Sequence, residues 1–290
     1  MKLKVFQKGF NYSQDGEGNR LIFHLQGCNM KCPWCSNPEG MPLKGVLVTE
    51  KEWMKESCCP KGAVKDGILE RGMCEVCEDM PCTLKRRQKG IRLSYKEYEV
   101  DELVQECIAS KPMYFDGGGV TLTGGEITMQ FDAVKELLEK LGEAGIHRAI
   151  ESNGSHPRMT ELIPLVDQWI MDVKHYDNEK HKEWLGVPNT VIAENLRKVS
   201  DVHPKMLIRV PLIPGFNDSE EDAAGFAEYF EKYMNVANTK VEFLTYHEFG
   251  KGKWEQCGME YRMKPARIAP GTVRFFEKVM SEKGIQCVRT

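Results

Sequence analysis

No surplus of basic residues marks this sequence: 40 lysines and arginines stand against 43 aspartates and glutamates, for a formal net charge of -3. That balance excludes the polycationic surface on which unspecific binding to nucleic acid or an anionic membrane depends. No apolar run reaches the roughly 18 residues needed to span a bilayer. Met1 to Phe10 holds neither a continuous apolar stretch nor a small-residue cleavage site, and no internal repeat or low-complexity tract is present. The expected setting is cytoplasmic, with neither nucleic acid nor membrane among the partners. A hydrophobic fraction of 41% over 290 residues excludes a disordered chain and suits one large α/β domain, with or without an insertion.

What the sequence has in excess is cysteine: 11 residues, clustered. In a reducing compartment, clustered thiols more often bind metal or do chemistry than form disulfides. Cys28, Cys32 and Cys35 are spaced Cys-x3-Cys-x2-Cys in one short loop. Such a loop can hold three irons of a 4Fe-4S cluster. A closed electron-transfer cluster takes four cysteines, so the fourth iron would be open to an exchangeable ligand, as the fourth position of a catalytic zinc is. Zinc with a distant fourth ligand is the alternative on spacing alone.

Five more cysteines, Cys58, Cys59, Cys74, Cys77 and Cys82, fall within 41-98, a polar, lysine-rich segment that reads as a small inserted domain. Cys59-Pro60 resembles the tail of a ferredoxin motif, and Cys74-x2-Cys77-x4-Cys82 a loosened second one. The expectation is an auxiliary 4Fe-4S cluster on Cys59, Cys74, Cys77 and Cys82, with Cys58 as a substitute for Cys59. A structural zinc on four cysteines is the alternative.

Outside the insertion, short apolar runs at 20-25, 120-122, 147-151, 168-172, 207-212 and 240-244 read as buried strands. Helical patterns occupy 100-110, 131-144, 159-165, 191-199, 219-233 and 272-283. This alternation implies parallel strands joined by crossover helices, either doubly wound or barrel-like, with ligands past the strand ends. The expected division is a barrel from 1-40 and 99-290, interrupted by 41-98.

The cysteine triad, with Trp34 before its last member, resembles the signature of the radical S-adenosylmethionine (SAM) superfamily, and Gly124-Gly125-Glu126 at a strand end resembles that superfamily's Gly-Gly-Glu motif. Further segments resemble the activating enzymes of glycyl radical enzymes. They are Asp15-Gly16-Glu17-Gly18-Asn19-Arg20, Gly117-Gly118-Gly119, Glu151-Ser152-Asn153-Gly154, Asp172-Val173-Lys174-His175, 208-218 and Tyr246-His247 with Gly250, Lys251 and Lys253.

The resemblance implies a partial (β/α)6 barrel of the radical SAM type with a small ferredoxin-like insertion. It implies an open 4Fe-4S cluster on Cys28, Cys32 and Cys35 that binds SAM. The implied cofactor contacts are Trp34, Gly124, Gly125, Glu126, Glu151, Ser152, Asp172, Lys174, Arg209 and His247. Lys174 and Arg209 would place positive charge at the cofactor's carboxylate, and Glu151 and Asp172 would hold a monovalent cation. Asp15 would hold the backbone of a target peptide. The implied partners are a large glycyl radical enzyme and a flavodoxin or ferredoxin-type reductant.

Overall fold

The computed structural model describes residues 1-83 and 89-290. The chain opens with an antiparallel pair, β1 (Lys2–Tyr12) and β2 (Asn19–Leu25). The cysteine-rich segment contributes β3 (Leu47–Thr49), β4 (Val64–Lys65), β5 (Ile68–Leu69), the short helix α1 (Arg71–Glu75) and β6 (Ile91–Leu93). Then follow β7 (Lys96–Glu99), α2 (Val100–Ala109), β8 (Gly119–Gly124), α3 (Phe131–Glu143), β9 (Arg148–Ser152), β10 (Gln168–Asp172), α4 (Asn178–Leu185) and α5 (Thr190–Val202). The remaining elements are β11 (Met206–Leu212), α6 (Glu220–Tyr233), β12 (Thr239–Thr245), α7 (Lys251–Gln256) and α8 (Pro270–Glu282).

The main sheet has the order β12-β11-β10-β9-β8-β2-β1-β7. From β2 to β12 the neighbours are parallel and follow one another in chain order, the insertion aside. A doubly wound sheet reverses its order at a switch point; this one never does, which selects the barrel-like alternative. All six expected strands form, each within two residues of its expected limits.

Helices cover the outside because their apolar faces have nowhere else to go. Val134, Leu137, Leu138 and Leu141 of α3 are fully buried against the sheet. At α6, Ser219 and Asp222 satisfy each other's backbone donors in a reciprocal cap. The segment Met159–Leu165, expected to be an α-helix, is a 3-10 helix: Pro164 lies inside it and offers no backbone N–H. Strand β1 was not expected, since lysines and Gly9 dilute its alternation and only Leu3 and Val5 are buried.

The cysteine-rich segment has a separate small core of Leu47, Met54, Cys58, Val64, Cys82 and Ile91. β3 pairs with β6, while β4 and β5 form a hairpin across Asp66-Gly67, both at positive φ, as a tight two-residue turn requires. The chain is back on the main sheet at β7, where Tyr98 faces Leu3 of β1.

His181 of α4 is buried, with Nδ1 at 2.6 Å from the Val187 carbonyl and Nε2 without a hydrogen-bond partner among the described residues. Burial pushes its pKa down to about 4. A folded-state value below the unfolded one means stability is lost as pH falls, starting near the unfolded pKa of about 6.5. Between pH 7.5 and 5.5 the protein should lose about 1 kcal/mol through this group. Denaturant unfolding of the wild type and of His181→Phe at both pH values checks this; an equal pH dependence in the two would contradict it.

Candidate active site

The cysteine loop leaves the end of β2 and is fixed from several sides. Gly27 donates to the Gly40 carbonyl at 2.7 Å and Cys28 to that of Met41 at 2.9 Å. The Trp254 indole of α7 donates to the Cys35 carbonyl at 2.8 Å, and Lys253 reaches Asn37 at 2.7 Å and Glu39 at 2.9 Å. Trp34 packs against Phe216 with ring centroids 5.0 Å apart.

Cys28, Cys32 and Cys35 border one cavity of about 310 Å³. Two of the sulfurs already receive backbone donors at 3.4 Å, Met30 N–H to Cys28 and Asn37 N–H to Cys35. Burial pushes the Cys28 and Cys32 thiols up to about 12 and that of Cys35 to about 11, while Lys174 pulls each back. Thiolates held in so dry a site call for a cation, which iron supplies. Three sulfurs on one cavity, backbone donors to two of them and a nearby ammonium fit an iron-sulfur cluster that Cys28, Cys32 and Cys35 would hold.

Of the other residues expected at the site, Asp15, Trp34, Gly124, Gly125, Glu151, Ser152, Asp172, Lys174 and His247 line the same cavity. Two do not. Glu126 and Arg209 stand behind the wall, and the reason in each case is that protein groups already claim their charge.

At the end of β8, Gly125 donates to the Leu25 carbonyl and Glu126 to that of Gly27. A Cβ on Gly124 would lie 2.2 Å from the Leu25 nitrogen, and one on Gly125 2.2 Å from the Gly27 oxygen, so no side chain fits at either position. The Glu126 carboxylate turns away from the cavity. It accepts from Thr128 N–H at 3.0 Å, Thr128 Oγ1 at 2.6 Å, Ser152 Oγ at 2.8 Å and Asn153 N–H at 2.7 Å. It thereby locks the end of β9, where Ser152 and Asn153 face the cavity.

Arg209 lies on β11 in register with Asp172 of β10 on one side and Glu242 of β12 on the other. Its guanidinium donates to Glu151 at 2.9 Å and Glu242 at 3.1 Å, and reaches the Gln14 carbonyl. Burial works against its charge, but Glu151 and Glu242 hold its pKa above the ordinary value. Burial likewise works against Glu151, yet Arg209 and a 2.6 Å bond from Thr123 keep its carboxyl below the usual range. Lys174 contacts Asp172 at 3.1 Å, and that carboxylate keeps the buried ammonium charged. Asp172 itself is pushed up by burial, against which Lys174 works and to which Glu151 adds. Asp15 is also raised by burial and then by Glu151, although Asn11 donates to it at 2.8 Å.

Further residues shape the site; His24 carried no signal in the sequence, whereas His175, Asn217 and His247 fall within the segments singled out there. His24 lines the cavity from β2, and its buried Nδ1 has no hydrogen-bond partner among the described residues. Asn217 donates to the carbonyls of Lys174 and Pro211, both at 2.9 Å, which ties the loop after β11 to the end of β10. His175 belongs to the same brace, 3.1 Å from the Phe216 carbonyl. His247 stacks on Phe249, ring centroids 4.4 Å apart.

In the insertion, two thiols, Cys74 and Cys82, are shifted by their neighbours. Burial and then Cys59 and Cys77 push Cys74 up; burial, Cys59, Cys74 and Cys77 push Cys82 up. Cys58 points elsewhere, its sulfur 3.4 Å from the Lys89 carbonyl and 3.6 Å from that of Trp53. Among the described residues, no three His, Cys, Asp or Glu side chains are gathered as they would be about a single metal ion.

The Radical SAM superfamily model matches residues 22-227. The 4-hydroxyphenylacetate decarboxylase activating enzyme of Clostridioides difficile strain 630 is 32% identical over 94% of this chain and 91% of its own length. The choline trimethylamine-lyase activating enzyme of Oleidesulfovibrio alaskensis is 36% identical over 85% of this chain and 84% of its own. A solved radical SAM methyltransferase from Sphaerobacter thermophilus shares the fold, with a TM-score of 0.57 at 13% identity over 96% of this chain and 67% of that one. The chain belongs to the radical SAM superfamily, and within it to the activating enzymes of glycyl radical enzymes.

If Glu126 holds the wall and does not touch the cofactor, Glu126→Ala should destabilise the fold by on the order of 3 kcal/mol, because four donors lose a buried charged acceptor. Denaturant unfolding measures this. Unchanged stability with SAM binding lost would show instead that the carboxylate contacts the cofactor.

Proposed function

We propose that this chain binds SAM in the cavity shared by Cys28, Cys32, Cys35 and the ends of β8 to β10, and that it serves a glycyl radical enzyme as its radical-generating partner. The observation that carries this reading is the convergence of three cysteine thiols, the Gly124-Gly125 backbone and the Asp172–Lys174 pair on one cavity. When bound, the reduced cluster supplies one electron that splits SAM into methionine and a 5′-deoxyadenosyl radical, which takes a hydrogen atom from a glycine Cα of the partner.

The protein's share is positioning and exclusion of water. The carbonyls at Gly124 and Gly125 accept from the methionyl ammonium, and Lys174 faces the carboxylate. Arg209 acts through Glu151, whose orientation it fixes. Ser152 and Asn153 are held in place by Glu126, His247 borders the adenosine end, and Asp15 meets the target peptide at the cavity mouth. A monovalent cation beside Glu151 and Asp172 would offset the burial, and with it the repulsion from Glu151, that raise Asp172.

The auxiliary 4Fe-4S cluster is assigned to Cys59, Cys74, Cys77 and Cys82. The effect of Cys59 and Cys77 on Cys74, and of all three on Cys82, supports it, and the Cys58 sulfur lies against the Lys89 carbonyl. The setting is the cytoplasm, and a flavodoxin or ferredoxin-type protein is the electron source. Among the described residues no helix is long and apolar enough to cross a membrane.

The test is anaerobic. After reconstitution, the protein is mixed with SAM, dithionite and candidate partners of the decarboxylase, lyase and dehydratase types named for its relatives. A glycyl radical doublet in the EPR spectrum of one partner is expected. 5′-Deoxyadenosine formed with a small molecule or unrelated peptide, with no glycyl signal from any partner, would overturn the reading. Cys32→Ala should abolish 5′-deoxyadenosine, whereas Cys77→Ala should leave the site cluster assembled. Iron analysis separates the neighbouring cysteines: Cys59→Ser should lower the content from about eight irons to about four, as expected for loss of one 4Fe-4S unit, while Cys58→Ser should not.

A further inference from the structure

Cys28 borders two cavities. One is the site cavity; the other is an outer groove of about 1170 Å³ that also takes in Lys31 and Pro33 of the cysteine loop. The groove runs between that loop, the start of the insertion, α4 and the segment 259-266, and its apolar walls include Met41, Leu43, Trp184, Met259 and Met263. Met30 and Met41 are shared with the site cavity as well, so the two cavities adjoin at the loop that carries Cys28.

With SAM in the inner cavity, a protein carrier is left with the groove, which also borders Cys28. Its surface is of the kind that takes a transient protein partner: an apolar patch, flexible methionines that adapt to a facing surface, and a charged rim. Lys31 and Lys264 are exposed on the rim against the single carboxylate of Glu183, while Arg262 is paired with Glu260 at 3.0 Å. The net charge of the rim is positive.

We propose that this groove is the docking face for a small acidic electron carrier of the flavodoxin type, which passes its electron into the cluster through the Cys28 side. The proposal rests on Cys28, Cys32 and Cys35 being the cluster ligands. In the step itself no atom is transferred: the fully reduced flavin loses one electron and becomes the semiquinone, and the oxidised cluster gains that electron.

The experiment compares two reductants on the reconstituted holoenzyme. Bleaching is followed by stopped-flow absorbance in a Cys77→Ala background, which leaves the site cluster alone, with a flavodoxin reduced to its hydroquinone and with dithionite, which is small enough to need no docking face. In Met263→Glu/Lys264→Glu the flavodoxin rate should fall on the order of tenfold or more, because an apolar contact and an attractive charge are both reversed. The dithionite rate and dithionite-driven 5′-deoxyadenosine should be unchanged. The wild-type flavodoxin rate should also fall with salt more steeply than that of the variant.

An unchanged flavodoxin rate overturns the proposal, and so does an equal loss with both reductants, which marks a merely structural role. It is overturned equally if the variant keeps the flavodoxin rate but loses glycyl radical yield or self-association, since the groove would then belong to the substrate enzyme or to a second copy. Failure of the wild type to make 5′-deoxyadenosine with dithionite would sink the functional reading separately, since bleaching is read without SAM.

Discussion

The buried guanidinium of Arg209 is the interaction on which the site depends. It sits on β11 and spans the barrel interior from Glu151 on β9 to Glu242 on β12, with the Gln14 carbonyl as a third acceptor. Alone, either carboxylate would be costly to bury; removing one member of such a group costs about 3 to 5 kcal/mol because it strands the others. With Arg209 in place, Glu151 stays ionised at the cavity floor, and its field reaches Asp172 and Asp15. The positive charge that faces the cavity is left to Lys174. The two cations thus differ in place: Arg209 binds the acids behind the wall, and Lys174 lines the cavity.

A second constraint is the close approach at the strand ends. The Gly124-Gly125 backbone lies so near Leu25 and Gly27 that the turn after β8 and the start of the cysteine loop form one piece. Glu126 joins that piece to β9, and Asn217 joins β10 to the loop after β11. From the other side α7 supports the loop through Trp254 and Lys253. The Gln256 carbonyl at the end of α7 receives Thr49 at 3.0 Å and Arg71 at 2.8 Å from the insertion. The insertion and the site loop therefore share a single short helix as their common support.

Most of the architecture was legible in the sequence because it follows from apolar periodicity. Parallel strands covered on both faces read as continuous runs, and the six runs became six strands. The cysteine spacing and the strand-end motifs were local signals as well, which is why most of the expected site residues lie on one cavity. What sequence could not show is which way a buried charge points. Glu126 and Arg209 stand at the expected positions, but their partners, Ser152, Asn153, Glu242 and Gln14, are distant in the chain and only the fold brings them near. For the same reason sequence could not show that the Cys58 thiol lies against the carbonyls of Trp53 and Lys89. Strand β1 was missed because an edge hairpin with one half-buried face carries little periodicity.

If the cluster on Cys28, Cys32 and Cys35 keeps one iron for the methionine end of SAM, electron-nuclear double resonance on the reduced enzyme, with SAM carrying 15N in the amino group and 17O in the carboxylate, will detect it. Hyperfine coupling of both nuclei to the cluster spin is expected, retained when Cys77 is replaced and only the auxiliary cluster is lost. Absence of coupling with SAM bound, or coupling that disappears with Cys77, would contradict it.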